Sequence, residues 1–532
     1  MRRPHPRRAP GGRSGPVPWR RRRPVAGQRS RAPPVTCPVE SVRRDRDAAR
    51  TATIVPADTR GGTHMRRVVR IGPGKLCVLF ALWAAGPSAA AESAQYAFVD
   101  VNVISMDAPG AAPHRTVLVE GDRIVTVGPA DTVTVPPGAT VVDGTDRFLL
   151  PGLADMHAHI GGDYRPGQTE PRADLLLYLA TGVTTIRNAV GSQDLLRLAA
   201  AIEDGAPLGP RMEVASPLLE GEDAVWNFAA RVLSADAARV AVRQFAGEGF
   251  ESIKVYHTLS REAYLAVADE ARRHGVTFFG HVPFDVGVEE VLAAGQASIE
   301  HFRGYDIDGL SREALVKDGG RSAERFASWL HMPDARMDEL VRATVEGGAW
   351  NCPTFVVNSM LINAGRLDHL VDHPMAAFMP DALLSVYRES GLEALFSPES
   401  REMLGRARPR MLEFLARLHA AGAPLMTGTD TFPSLVPGFT LIDEIATFVE
   451  AGLSPHEALQ AATTAPARFL GEADTRGKIL PGMEADLVLL GANPLEDIGH
   501  LWRLEGVMAD GRWLTRDVLL SMLRELADAS VE

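Results

Sequence analysis

Four histidines, one lysine and one aspartate in this sequence have the types and spacing to hold metal ions. His157 and His159 close the run Asp155-Met156-His157-Ala158-His159. In an extended strand, residues i and i+2 point the same way. The two imidazoles therefore share a face, where neutral rings can bind one metal ion. The alternative is a pair of interior histidines satisfied by hydrogen bonds. His281 ends Phe279-Gly280-His281 and His301 ends Ser298-Ile299-Glu300-His301, so two further apolar runs each finish in a nitrogen ligand. Asp430 ends Thr427-Gly428-Thr429-Asp430. Its carboxylate can ligate metal and accept a proton, although an Asp after a strand is also a common helix cap. Lys254 lies inside Ser252-Ile253-Lys254-Val255-Tyr256, and the chain has only three other lysines, Lys75, Lys317 and Lys478. Burial disfavours a charged amine. A neutral amine can react with carbon dioxide to give an anionic carbamate able to bridge two metals. The alternative for Lys254 is an outward side chain that reaches solvent.

These residues need elements that bring their ends together. From residue 151 on, short apolar runs alternate with amphipathic helical stretches, the pattern of parallel βα units. The runs fall at 152–157, 183–188, 212–218, 252–256, 277–281, 298–301, 352–357 and 424–429. Eight runs predict an α/β chain built on a closed (β/α)8 TIM-like barrel, whose active site lies at the C-terminal ends of the strands. The six candidates fall at the ends of, or within, runs one, four, five, six and eight. Helices are expected at 235–247, 261–274, 288–294 and 455–471. The connection 358–423 is too long for a plain loop; its helical patterns at 380–390 and 400–420 are those of a lid. Segments 97–103, 116–128 and 139–150 read as antiparallel strands. Segments 476–490 and 506–514 return to strand character, so the two ends of the mature chain are expected to form a small β-sandwich. Residues 515–529 read as a closing helix.

The first ninety residues read differently. Residues 1–64 hold 16 Arg against 4 acidic residues and are rich in Pro and Gly, a composition that cannot offset its ordering entropy. Met65 then begins a charged stretch (Arg66, Arg67, Arg70), an apolar run at 76–85 and the small residues 87–91, the order of a signal peptide. The expectation is that 1–64 is disordered and an upstream mis-start, that 65–91 is a signal peptide, and that the mature protein is periplasmic or secreted. The mature chain then divides into 92–150 and 475–532 (β-sandwich, the latter with the closing helix) and 151–474 (barrel). The whole chain has 532 residues, 45% of them hydrophobic, which excludes a fully disordered chain. Residues 92–532 carry 36 basic against 63 acidic residues, and so acidic a body repels nucleic acid. No apolar run reaches the length of a membrane span, so no stable insertion is expected after signal cleavage. Three cysteines exclude a disulfide scaffold. Cys352 is expected to open strand seven as a buried thiol.

The constellation resembles the amidohydrolase superfamily, in its imidazolonepropionase-like and Xaa-Pro dipeptidase-like branch with a lysine on strand four. The resemblance covers about residues 96–515 and rests on the motifs above. It also rests on Ala462-Thr463-Thr464-Ala465-Pro466-Ala467 and on Gly482-Met483-Glu484-Ala485-Asp486-Leu487-Val488. One departure is Asn188, where many relatives carry Asp. The resemblance implies a small-molecule substrate and two divalent ions, zinc by default, with manganese, cobalt or iron also compatible. His157, His159 and Asp430 would hold one ion, His281 and His301 the other, with carbamylated Lys254 bridging. Catalysis would fall to Asp430 and Lys254, through a metal-bridging hydroxide. The implied reaction is amide C–N cleavage of a dipeptide or N-acyl amino acid. The alternatives are a cyclic amide or lactone hydrolase, and a metal-free periplasmic binding protein. Tyr256 and His257, just beyond Lys254, are expected at the barrel mouth as substrate contacts, and Arg303 as a carboxylate clamp. Wall packing and a loop salt bridge are the competing readings. Glu220 and Trp226 are weaker pocket candidates, while His274, His419 and His456 read as surface or core residues. A homo-oligomer is compatible with everything above.

Overall fold

Alternating apolar residues make β1 (Gln95–Val103) a strand, and the Gly121-Asp122 turn folds β2 (Ala112–Glu120) onto β3 (Arg123–Pro129) as an antiparallel hairpin. A computed structural model describes residues 95–160, 171–362, 396–431 and 435–529. The signal-peptide reading and the helix expected at 380–390 lie outside the described residues.

The stretch 139–150 departs from expectation. It is not one antiparallel strand but two short ones, β4 (Thr140–Asp143) and β5 (Phe148–Pro151), both parallel to β1. Gly144 sits between them, so close to β1 that a Cβ there would lie 2.4 Å from that of Val101. At the other end, β15 (Leu487–Leu490) pairs with β5, then β16 (Leu504–Ala509) and β17 (Arg512–Thr515) follow. The single strand expected at 506–514 is thus a hairpin, turned at Asp510-Gly511, both with positive φ. Both ends of the described chain meet in one eight-stranded sheet around Phe98, Val117, Ile124, Leu487 and Met508.

Between them lies a TIM-barrel-like β/α body. Parallel strands β6 (Leu153–Ala158), β7 (Val183–Asn188) and β8 (Arg211–Val214) form one set. The second set is β9 (Leu219–Glu220), β10 (Ala230–Arg231), β11 (Ser252–Val255), β12 (Thr277–Gly280), β13 (Ser298–Glu300) and β14 (Trp350–Cys352). A bridge between Ala215 and Ser252 joins the sets, and one between Asn351 and Leu425 adds the run before Asp430. Met156 N donates to Thr427 O at 3.0 Å, tying that run to β6.

Helices fill the connections. Arg261–His274 is typical: Ser260 caps its start, Gly275 (φ 65°) ends it, and Ala263, Tyr264, Val267 and Ala271 form its buried stripe. Strand seven lies earlier than expected, so Cys352 ends it. Pro353 has no N–H to extend the ladder, and Phe355–Ile362 turns helical. The single helix expected at 455–471 is two, Pro455–Ala461 and Thr464–Phe469. Pro398–Ala420 forms the long helix expected at 400–420. Among the described residues no helix is long and apolar enough to cross a membrane.

Candidate metal centre

His157, His159, Lys254, His281, His301 and Asp430 all line one cavity. The ends of the strands create it. His301 (φ 59°), Thr354 (φ 50°) and Asp430 (φ 51°) adopt left-handed backbone just past their strands, a strained conformation that clusters at functional sites. It turns each side chain back over the strand ends.

The tightest group is His157, His159 and Asp430, whose ligand atoms all lie within 4.8 Å of one another. Asp430 Oδ1 is 2.9 Å from His159 Nε2 and 3.5 Å from His157 Nε2. Asp430 Oδ2 is 3.8 Å from His301 Nδ1, which bonds Thr354 Oγ1 at 2.6 Å. His281 lies further round the wall, its ring centroid 5.0 Å from that of His301. Lys254 Nζ donates to His157 Nε2 at 3.2 Å.

Electrostatics decide what these groups can do. Burial pushes His157 down to about 4, with the Lys254 charge adding to it against the pull of Glu300. Burial first, then neighbouring cationic groups, hold His281 well below the usual imidazole range, and burial does the same for His301 against the pull of Asp430. Three rings are thus neutral at pH 7 and keep nitrogen lone pairs. Burial would raise Asp430, but His301, His159 and His157 together hold it well below the usual carboxylate range. Burial lowers Lys254 to about 8, against the opposing pull of Glu300 and Asp430. Neutral imidazoles, an ionised carboxylate and a readily neutralised amine are the donor set a divalent ion needs.

Behind the site lies a buried ion pair whose roles sequence reasoning missed. Glu300 Oε2 accepts from His157 Nδ1 at 2.5 Å, and Glu300 Oε1 accepts from Arg187 Nη2 at 2.9 Å. Arg187 also donates from Nε to Met156 O at 2.6 Å and lies over the Phe279 ring. Fixing the proton on Nδ1 directs the His157 Nε2 lone pair into the cavity. The available signal was a charged residue inside each of two otherwise apolar runs. Arg187→Met strands a buried carboxylate and is expected to destabilise the fold by about 3–5 kcal/mol, which urea unfolding measures.

Asn188 uses both ends of its amide. Its Oδ1 accepts from Ile160 N at 2.8 Å, and its Nδ2 donates to Val190 O at 2.5 Å, a bond no carboxylate could make.

Tyr256 and Arg303 line the cavity, as does Trp226, whose Nε1 donates to the Tyr256 hydroxyl at 3.0 Å. His257 does not line it. Tyr256 and His257 follow the end of β11, and their rings pack together, the centroids 4.3 Å apart. His257 is buried behind His281, the two Nδ1 atoms 3.0 Å apart and the rings stacked. Glu220 is also outside the cavity, accepting from Val225 N and Trp226 N. Cys352 is buried, and burial pushes its thiol up.

The sequence matches the amidohydrolase family over residues 148–514. Ochratoxinase of Aspergillus niger is 27% identical over 394 residues, covering 67% of this chain and 74% of that protein. A solved bottromycin amidohydrolase superposes with a TM-score of 0.62 at 25% identity, covering 82% of this chain and 90% of that one. A solved putative prolidase from Bifidobacterium longum gives 0.59 at 25% identity, over 82% of this chain and 100% of that one. This chain belongs to the amidohydrolase family. It is a hydrolase acting on carbon–nitrogen bonds.

Proposed function

We propose that this chain is a binuclear metal-dependent hydrolase that cleaves the amide bond of a dipeptide or N-acyl amino acid. Its frame would be a closed (β/α)8 barrel (151–474) with a β-sandwich from 92–150 and 475–532. Residues 65–91 would direct export and then be removed, placing the mature protein in the periplasm or outside the cell. The observation that carries the reading is the meeting of neutral imidazoles, one ionised carboxylate and one depressed lysine in a single cavity. The likeness to an amidohydrolase and a putative prolidase supports the bond type.

His157, His159 and Asp430 would hold one ion and His281 and His301 the other, zinc being the default. Such ions supply Lewis-acid polarisation and bring the pKa of water toward neutrality. The uncharged Lys254 amine would form a nitrogen–carbon bond to carbon dioxide and release one proton, leaving a carbamate between the two sets of ligands. Glu300 keeps the proton on His157 Nδ1. Asp430 would take the proton of the attacking water and hand it to the leaving nitrogen. Burial keeps the Tyr256 hydroxyl protonated, so it can donate to the carbonyl oxygen or to a substrate carboxylate, while Arg303 reaches the carboxylate.

The test is a panel of dipeptides, N-acyl amino acids, cyclic amides and lactones, with amine, ammonia and acid measured separately. Equal amounts of amine and acid are expected. Ammonia alone would mean a deaminase, and acid without amine would mean ring opening or ester cleavage.

A further inference from the structure

The cavity has a second pole. Its described lining carries a single carboxylate, Asp430, but three guanidinium groups, Arg303, Arg321 and Arg325. Arg325 is committed: its Nη2 lies 2.5 Å from Asp306 Oδ2 and its Nη1 donates to Gly320 O at 2.9 Å. Arg303 donates to the same carbonyl, and no described carboxylate pairs with it. Arg321 is held by aromatic faces instead, its guanidinium 5.6 Å from the ring centres of both Trp226 and Phe396. A ring face takes up no conventional hydrogen bond, so the N–H donors of Arg321 remain for a carboxylate, which guanidinium grips in pairs.

The turn Gly319-Gly320 brings the two uncommitted groups together. Both glycines have positive φ (61° and 77°). A Cβ at Gly319 would lie 2.8 Å from Arg321 Nη1, and one at Gly320 would lie 3.0 Å from Arg303 Nη1. Any side chain here would crowd a guanidinium. Of the three, only Arg325 is fully buried, and it is the one paired with a carboxylate. Arg303 and Arg321 are half-buried, and no described carboxylate is bonded to either. Two buried carboxylates lie outside the lining: Asp306 pairs with Arg325, and Glu220 accepts from Val225 N and Trp226 N. Arg303 and Arg321 are left with donors facing the cavity and no bonded carboxylate, an arrangement that suits an anionic group.

We propose that Arg321, set beside Arg303 by the Gly319-Gly320 turn, is the specificity-determining residue that reads a single free carboxylate on the substrate. The inference rests on the amide-hydrolase reading for the identity of that substrate. The preferred compounds are amides whose leaving amino acid keeps its α-carboxylate free. Neutral amides of the same shape are disfavoured.

The experiment compares N-acetyl-phenylalanine with N-acetyl-phenylalaninamide in the wild-type protein and in Arg321→Met and Arg321→Lys. Acetate release gives kcat/KM, and calorimetry on the chelated protein gives binding without turnover. The wild type is expected to favour the acid by both measures. Arg321→Met is expected to lose about 10- to 100-fold on the acid, mostly in KM, and little on the amide. Arg321→Lys should keep part of the preference, because it keeps the charge but not the fork. Equal binding of acid and amide by the wild type overturns the proposal, as does an undiminished preference in Arg321→Met. Acid-selective binding that Arg321→Met abolishes, with no hydrolysis of any amide, would uphold the carboxylate receptor and sink the amide-hydrolase reading alone.

Discussion

Asp430→Asn is expected to keep much of its bound metal and to lose amide hydrolysis by about 10²- to 10⁴-fold. The carboxamide is nearly the same size and still offers an oxygen to His159 Nε2, 2.9 Å away in the native site. It cannot take up and return a proton. The loss should therefore appear in kcat, with KM close to that of the native protein. Single-turnover hydrolysis beside elemental analysis of the same sample separates the two effects. Near-native turnover would remove Asp430 from the proton path. Loss of all metal together with activity would reduce it to a ligand.

Lys254→Met is the second large effect. Its side chain fills much of the same buried volume but forms no carbamate and carries no charge. On the proposed mechanism the native protein binds two ions, and the variant is expected to bind one. Losing several kcal/mol of Lewis-acid stabilisation corresponds to about 10³-fold in rate. The native protein, stripped of metal and bicarbonate, should regain activity only when both are returned. The variant should recover only its residual rate with metal, and bicarbonate should make no difference to it. A variant that holds two ions and turns over normally would show that Lys254 is a wall residue. The fold itself should tolerate the change, because Lys254 Nζ makes its hydrogen bond to His157 and lies over the Phe279 ring rather than anchoring a remote element.

The meeting of the six candidate side chains in one cavity was legible because it obeys short-range rules. The i, i+2 alternation puts His157 and His159 on one side of β6. An apolar run that ends in a histidine marks the rim of a parallel β/α unit, as at His281 and His301. Helix limits were legible where a cap is written into the sequence, as with Ser260 and Gly275 around Arg261–His274. Long-range pairings were not. Arg187 and Glu300 stand 113 residues apart, and nothing local in either run names the other as partner. The direction of β4 and β5 escaped for a similar reason. Alternation reports a strand, but whether it runs parallel to β1 depends on where the chain crosses back. His257 follows Lys254 closely enough in sequence to be expected at the barrel mouth, but beyond Val255, the last residue of β11, it packs behind His281 instead. The pole formed by Arg303, Arg321 and Arg325 was visible only at Arg303, since Arg321 and Arg325 come from a connection with no strand pattern at all.

The most direct test of the central claim is to count metal ions per chain while following amine release in the same preparation. The protein would be stripped with chelator and titrated with zinc in bicarbonate buffer. The account predicts that amide cleavage is absent from the stripped protein and reaches its plateau at two ions per chain. Full amide cleavage in a preparation free of metal would contradict it. So would a plateau at one ion, which would leave Lys254, His281 and His301 without the role assigned to them.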